Sequence, residues 1–128
     1  MKLLLASLFI GYVTAELYNA TVKGTVICNK RKQSGIKLKL KEHDTFSKDD
    51  DLGSTTTDDQ GNFEIFGKDE EWYGFRPYIV IYHNCRTLEN GCLTRSRYEY
   101  PQSAVNGVYD MSYVALDIAT AEESAKCP

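Results

Sequence analysis

The sequence runs to 128 residues, a length that suits one domain, with 18 acidic side chains against 15 basic ones and a net charge of −3. That balance argues against a nucleic-acid binder, which needs a basic surplus for its phosphate contacts. No apolar stretch reaches membrane-spanning length, so no transmembrane segment is expected.

The opening residues set the compartment. Lys2 supplies a positive charge, Leu3 to Val13 is apolar, and Val13-Thr14-Ala15 presents small or modest side chains where a signal peptidase reads. An eleven-residue apolar run spans roughly 16 Å as a helix, against a bilayer core of about 30 Å. The expectation is therefore a signal peptide over residues 1–15 and a secreted domain over 16–128. Removing Lys2 leaves 14 basic against 18 acidic residues, a net charge of −4 for the mature chain. Asn19-Ala20-Thr21 is then a glycosylation acceptor, with Asn19 the candidate site.

Alternation of side chains dominates the mature chain. Val22, Gly24, Val26 and Cys28 share one side of a first strand, and Asn29 to Gly35 is a polar turn. Ile36 to Lys41 alternates cleanly, with Ile36, Leu38 and Leu40 inward and Lys37, Lys39 and Lys41 toward water. His43 to Leu52 reads as an acidic loop. Gly53–Thr57 and Asn62–Phe66 flank a turn in which Gly61 can take positive φ, which makes a hairpin. Gly67 to Arg76 reads as a loop whose Trp72, Tyr73 and Phe75 either cover the core's edge or lie exposed. Pro77 to Cys85 is apolar on both faces up to His83 and reads as a central strand. Arg95–Tyr100 alternates before Pro101 stops it, Val108–Ile118 is the last strand, and Ala119 to Pro128 is a tail that packs through Cys127. Seven short strands at this spacing imply a two-sheet sandwich or a small barrel.

Four cysteines remain after the signal segment, and an even count in a secreted chain implies two disulfides. No pair has the spacing of a zinc knuckle, and an oxidising lumen favours the S–S bond. Cys85 and Cys92 enclose a six-residue polar loop, so they are expected to pair locally, leaving Cys28 to bridge to Cys127.

Taken together, these segments resemble the nematode transthyretin-like family of secreted proteins. The resemblance rests on Val22-Lys23-Gly24 leading to Cys28, on Asp58-x-x-Gly61-x-Phe63, and on Tyr82-His83-x-Cys85 closing the apolar strand. It covers about Val22 to Asp117 and implies an all-β, prealbumin-like (Ig-like) β-sandwich of about seven strands with two disulfides. Val80 departs from the pattern, standing where a charged residue is common.

An enzyme on the related fold hydrolyses 5-hydroxyisourate with histidines, an arginine and a Tyr-Arg-Gly-Ser C-terminus. This chain ends Ser124-Ala125-Lys126-Cys127-Pro128 and has two histidines, His43 and His83. His83, beside a disulfide cysteine, reads as structural, and His43 as an exposed loop residue. No nucleophile elbow, phosphate loop or two-histidine metal motif is present. The expectation is a non-enzyme without catalytic residues or cofactor. Asp49-Asp50-Asp51, Asp58-Asp59 and Asp69-Glu70-Glu71 lack the alternating ligand spacing of a calcium loop, so no metal is expected either.

The candidate binding surface is the basic stripe of Lys37, Lys39 and Lys41, together with the aromatics Tyr73 and Phe75. Such a stripe meets an anionic head group, glycan or acidic protein, or it simply solvates and protects a strand. Tyr98 and Tyr100 join the aromatics either at an interface or as ordinary strand residues. The expected function is a secreted carrier or bridge for a lipid-like or small apolar ligand or a cell-surface partner. The alternative is an extracellular protein-interaction or signalling module without a small ligand; a residual 5-hydroxyisourate hydrolase ranks third.

Overall fold

In the computed structural model, residues 14–86 and 91–128 are described. Residues 1–13 of the expected signal peptide and residues 87–90 of the loop between Cys85 and Cys92 lie outside the described residues. Extended segments account for almost all the regular structure: β1 (Glu16–Cys28), β2 (Arg31–Lys32), β3 (Lys37–Glu42), β4 (Asp50–Thr56), β5 (Asn62–Glu71), β6 (Pro77–His83), β7 (Leu93–Glu99), β8 (Val108–Ala115) and β9 (Glu123–Lys126). A short 3-10 turn, Gln102–Ala104, precedes β8.

Two sheets form. In the first, β5 and β2 lie antiparallel along one edge of β1 and β8 runs parallel along the other. The second is ordered β4-β3-β6-β7-β9, antiparallel throughout. The inward positions of both bury an aliphatic and aromatic core: Ala20, Val22 and Val26 of β1, Phe63 and Ile65 of β5, Leu38 and Leu40 of β3, Ile79 and Ile81 of β6. Period-two patterning puts one set of side chains on this shared face, which is the physical reason the segments close into a sandwich.

Where alternation fades, strands are harder to read. β5 continues through Glu71 because its polar end pairs with Glu16–Asn19 at the start of β1. β4 begins at Asp50, inside the segment expected to be loop. The tail forms β9, whose residues Glu123–Lys126 pair with Leu93–Ser96 of β7.

That last ladder corrects the expected disulfide pairing. The bonds are Cys28–Cys85 and Cys92–Cys127, not Cys85–Cys92 and Cys28–Cys127. Leu93 pairs with Lys126, so Cys92 and Cys127 sit one position beyond the last paired residues and face each other. Cys28 ends β1 and Cys85 follows β6, so their bond ties the two sheets together.

Candidate functional site

The outer face of the five-stranded sheet carries the sequence's basic stripe, with more cations than the sequence reading assigned to it. Strand register places Lys37, Lys39 and Lys41 of β3 opposite Tyr82, Val80 and Tyr78 of β6. On the far side of that column, Tyr82 faces Arg95 and Val80 faces Arg97 of β7, while Lys126 of β9 pairs beside Leu93. Six cationic side chains thus flank a Tyr-Val-Tyr column whose members are all buried although they point away from the core. The cover comes from the long side chains themselves. The Arg97 guanidinium carbon lies 3.7 Å from the Tyr78 ring centroid and Lys126 Nζ 4.9 Å from that of Tyr82. Cations over aromatic faces bury their stems and keep their charge at the surface.

Charge is distributed unevenly along this face. At the Tyr78 end carboxylates answer the cations: Lys41 Nζ is 2.9 Å from Asp51, and Arg97 is 3.1 Å from both Glu99 and Glu122. Asp49 accepts the Tyr78 hydroxyl, and burial, reinforced by Asp49, pushes that phenol up to about 12. At the Tyr82 end, among the described residues, Lys37, Arg95 and Lys126 form no ion pair. Burial acts to raise the Tyr82 phenol, yet the Arg95 guanidinium and the ammonium groups of Lys39 and Lys126 outweigh it and hold it below the ordinary tyrosine value.

The structure therefore divides the expected lysine stripe. Lys37 is exposed, whereas Lys39 and Lys41 are half-buried against Asp51. Of the expected aromatic surface, Tyr73 is exposed, but Phe75 is buried and stacks on Tyr18 with ring centroids 5.4 Å apart. Phe75 follows the turn that returns the chain to β6, so its ring closes the end of the core and belongs to no surface. Tyr100 is also buried, its hydroxyl 2.8 Å from the Ala104 carbonyl oxygen, and Tyr98 packs against the core. Asn19 lies half-buried in β1, paired with Lys68 of β5.

His83 and Ser96 invite a catalytic reading that their hydrogen bonds do not support. The Cys85 N–H donates to His83 Nδ1 at 3.2 Å, so Nε2 carries the ring proton and donates to Ser96 Oγ at 2.9 Å. Ser96 in turn donates to Glu123 Oε2 at 2.8 Å, and Arg86 pairs with the same carboxylate. The imidazole thus gives a proton to the serine where a general base would take one. Burial, with help from the Arg86 charge, lowers its proton affinity, which favours this neutral form. His43 sits apart on its loop, Nδ1 3.5 Å from Asp49.

Comparison with known proteins places this fold. A family model described as "TTR-52: Transthyretin-like family" matches residues 23–101. The chain is 40% identical over 114 residues to transthyretin-like protein 16 of Caenorhabditis elegans, a match covering 89% of this chain and 86% of that protein. The chain belongs to the nematode transthyretin-like family. It is also 29% identical to transthyretin-like protein 2 of the same nematode, over 85% of this chain and 82% of that one.

In this transthyretin-like chain the residues that carried the resemblance have mechanical duties. Asp58 Oδ1 accepts from the N–H groups of Gln60 and Asn62, closing the turn from β4 to β5. The two strands are not the expected hairpin, because β4 pairs with β3 in one sheet and β5 with β1 in the other. Gly61 has φ +77°, and a Cβ there would lie 2.8 Å from the Val26 carbonyl oxygen. Tyr82 faces outward with the cations, His83 enters the buried relay, and Cys85 bridges the sheets. Sequence reading missed Arg95, Arg97 and Lys126 as members of the cationic face. The alternation of Arg95-x-Arg97 was available to find the first two. Lys126 was not findable, because β9 carries no apolar pattern.

A second cluster joins two of the acidic runs. Asp50, Asp69 and Glu71 bring one carboxylate oxygen each within 4.8 Å of one another. Partial burial, with Asp69 and Glu42 beside it, pushes Glu71 up to about 8; burial likewise raises the carboxyls of Asp50 and Glu42. Like charges in a confined place hold protons.

Proposed function

We propose that this transthyretin-like protein is secreted after loss of residues 1–15 and acts outside the cell as a binding protein, not as an enzyme. It carries or bridges a lipid-like ligand or a cell-surface partner bearing negative charge. The observation that carries this reading is the outer face of the five-stranded sheet, where Lys37, Arg95 and Lys126 surround Tyr82 with no carboxylate paired to them among the described residues. A protein of net negative charge that concentrates cations on one face has an orientation-specific means of meeting an anionic surface. Two disulfides and no free cysteine support an oxidising destination. The direction of the His83–Ser96–Glu123 relay, with His83 and Ser96 buried, supports a structural role for the groups best suited to catalysis. Asn19 is the glycan acceptor of this secreted form.

Flotation of the mature protein with vesicles tests the reading. Anionic vesicles should carry the protein upward, increasingly so at low salt, and neutral vesicles should not. Equal failure on both removes the charged-surface version.

A protein partner without a small ligand is the second reading. It is favoured by Trp72, Tyr73 and Phe46, which are 58%, 89% and 88% exposed on neighbouring loops. Tyr73 borders an open cleft of about 820 Å³ that also reaches His43, Arg76 and Glu99. A specific capture from extracellular fluid that Tyr73→Ala abolishes would move the account to that surface.

A further inference from the structure

Like charges placed side by side on a sheet repel, and a fold keeps them together at a cost in stability. At the Tyr82 end of the cationic face, Lys37 and Arg95 are both register partners of Tyr82, and Lys126 lies over its ring. A concavity of about 320 Å³ opens at this end, lined by Ile36, Lys37, Tyr82, Asn84, Leu93 and Lys126. Its walls combine two aliphatic side chains and an aromatic ring with two ammonium groups. Both sides are anchored. The Ile36 N–H donates to Thr57 Oγ1 at 2.9 Å, and the Cys92–Cys127 bond adjoins both Leu93 and Lys126. The volume suits a small molecule and not a polymer segment, since ligand pockets start at about 300 Å³.

We propose that this concavity binds a small amphipathic organic anion, one carboxylate or sulfonate group on an apolar or aromatic body. Lys37 and Lys126 meet the charge; Ile36, Leu93 and the Tyr82 ring meet the body. Depression of the Tyr82 phenol by Arg95, Lys39 and Lys126 against the effect of burial reports the same positive field. The inference rests on the reading of this face as the binding face, and it narrows that reading to one end and one ligand class.

The test uses the mature, disulfide-intact protein and the fluorescent probe 1-anilinonaphthalene-8-sulfonate, with its uncharged counterpart N-phenyl-1-naphthylamine. The sulfonate should bind saturably at one site. Amide resonances of Ile36, Lys37, Tyr82, Asn84, Leu93 and Lys126 should shift together. Lys37→Gln and Lys126→Gln should each weaken binding by about tenfold, the scale of a lost charge-assisted contact, and the uncharged dye should bind at least that much more weakly. Lys23→Gln, on the opposite sheet, should change nothing. Absence of binding at millimolar probe, equal affinity for the uncharged dye, unaltered affinity in both variants, or shifts centred elsewhere would each overturn the proposal. Vesicle capture separates the two levels: if anionic vesicles bind while the sulfonate does not, the pocket is refuted and the face stands. If neither binds, both fall.

Discussion

The Ser96 hydroxyl donates to Glu123 across 2.8 Å while it accepts from His83 across 2.9 Å, so one buried serine joins β6, β7 and β9. The relay is satisfied in one direction only. Ser96→Ala strips the acceptor from a buried His83 N–H, which is expected to cost about 1–3 kcal/mol of unfolding free energy. Urea denaturation of the disulfide-intact protein measures it. A serine-directed fluorophosphonate should leave wild-type Ser96 unlabelled, because a 0% exposed hydroxyl already committed to a carboxylate is no nucleophile.

The carboxylates of Asp50, Asp69 and Glu71 predict an unusual pH response. Glu71 moves from the ordinary 4.5 in the unfolded chain to about 8 in the folded one, so the native state binds the proton more tightly. Its contribution to stability is complete below the unfolded value and is lost as pH rises toward about 8. Thermal unfolding should therefore fall in midpoint across that window, and Glu71→Gln should flatten the fall and exceed wild type above it. The opposite sign governs Glu123, whose carboxyl Arg86 holds below the usual range, and Asp51, held down by Lys41. Their contribution is present above the unfolded value and lost as pH falls through the folded one. A wild-type midpoint that stays level or rises from mild acid to mild base would refute the cluster's role.

Peptide mapping without reduction should recover Cys28 linked to Cys85 and Cys92 linked to Cys127. The two bonds close loops of 57 and 35 residues, each worth about 4 kcal/mol in the chain-entropy model. Their consequences differ. Cys92→Ser with Cys127→Ser frees β9 and takes Lys126 away from Tyr82 while leaving the two-sheet core, so anion binding should suffer more than the cooperativity of unfolding. Loss of Cys28–Cys85 unties the sheets and should lower stability without moving Lys126.

Gly67 lets β4 and β5 approach. A Cβ there would lie 2.6 Å from the Leu52 Cβ, which is fixed to the β4 backbone and cannot swing aside, and 3.2 Å from the Leu52 carbonyl oxygen. Gly67→Ala should destabilise the fold by about 1–3 kcal/mol through overpacking. Gly107→Ala, whose Cβ meets nothing closer than 3.4 Å, should stay within about 0.5 kcal/mol of wild type.

Segments with an apolar face declared themselves in the sequence. Leu38 and Leu40 of β3 and Val22 and Val26 of β1 fall where alternation put them, and β6, buried on both faces, falls where its continuous apolar run put it. The ends of β5 and the whole of β9 did not, because main-chain pairing and a disulfide hold them in place of hydrophobic burial. The binding face was half legible for a related reason. Lysines on β3 announce a cationic strand, but only register shows that Asp51 answers Lys39 and Lys41 while Lys37 joins Arg95 and Lys126 around Tyr82.

Removing equal charge from opposite faces tests the account most directly. One variant replaces Lys37, Arg95 and Lys126 with glutamine, and its twin replaces Lys23, Lys68 and Lys30, so net charge changes identically. Capture on anionic vesicles at low salt should be lost in the first and kept in the second. Equal loss in both, or loss in the second alone, would contradict a binding face on the five-stranded sheet.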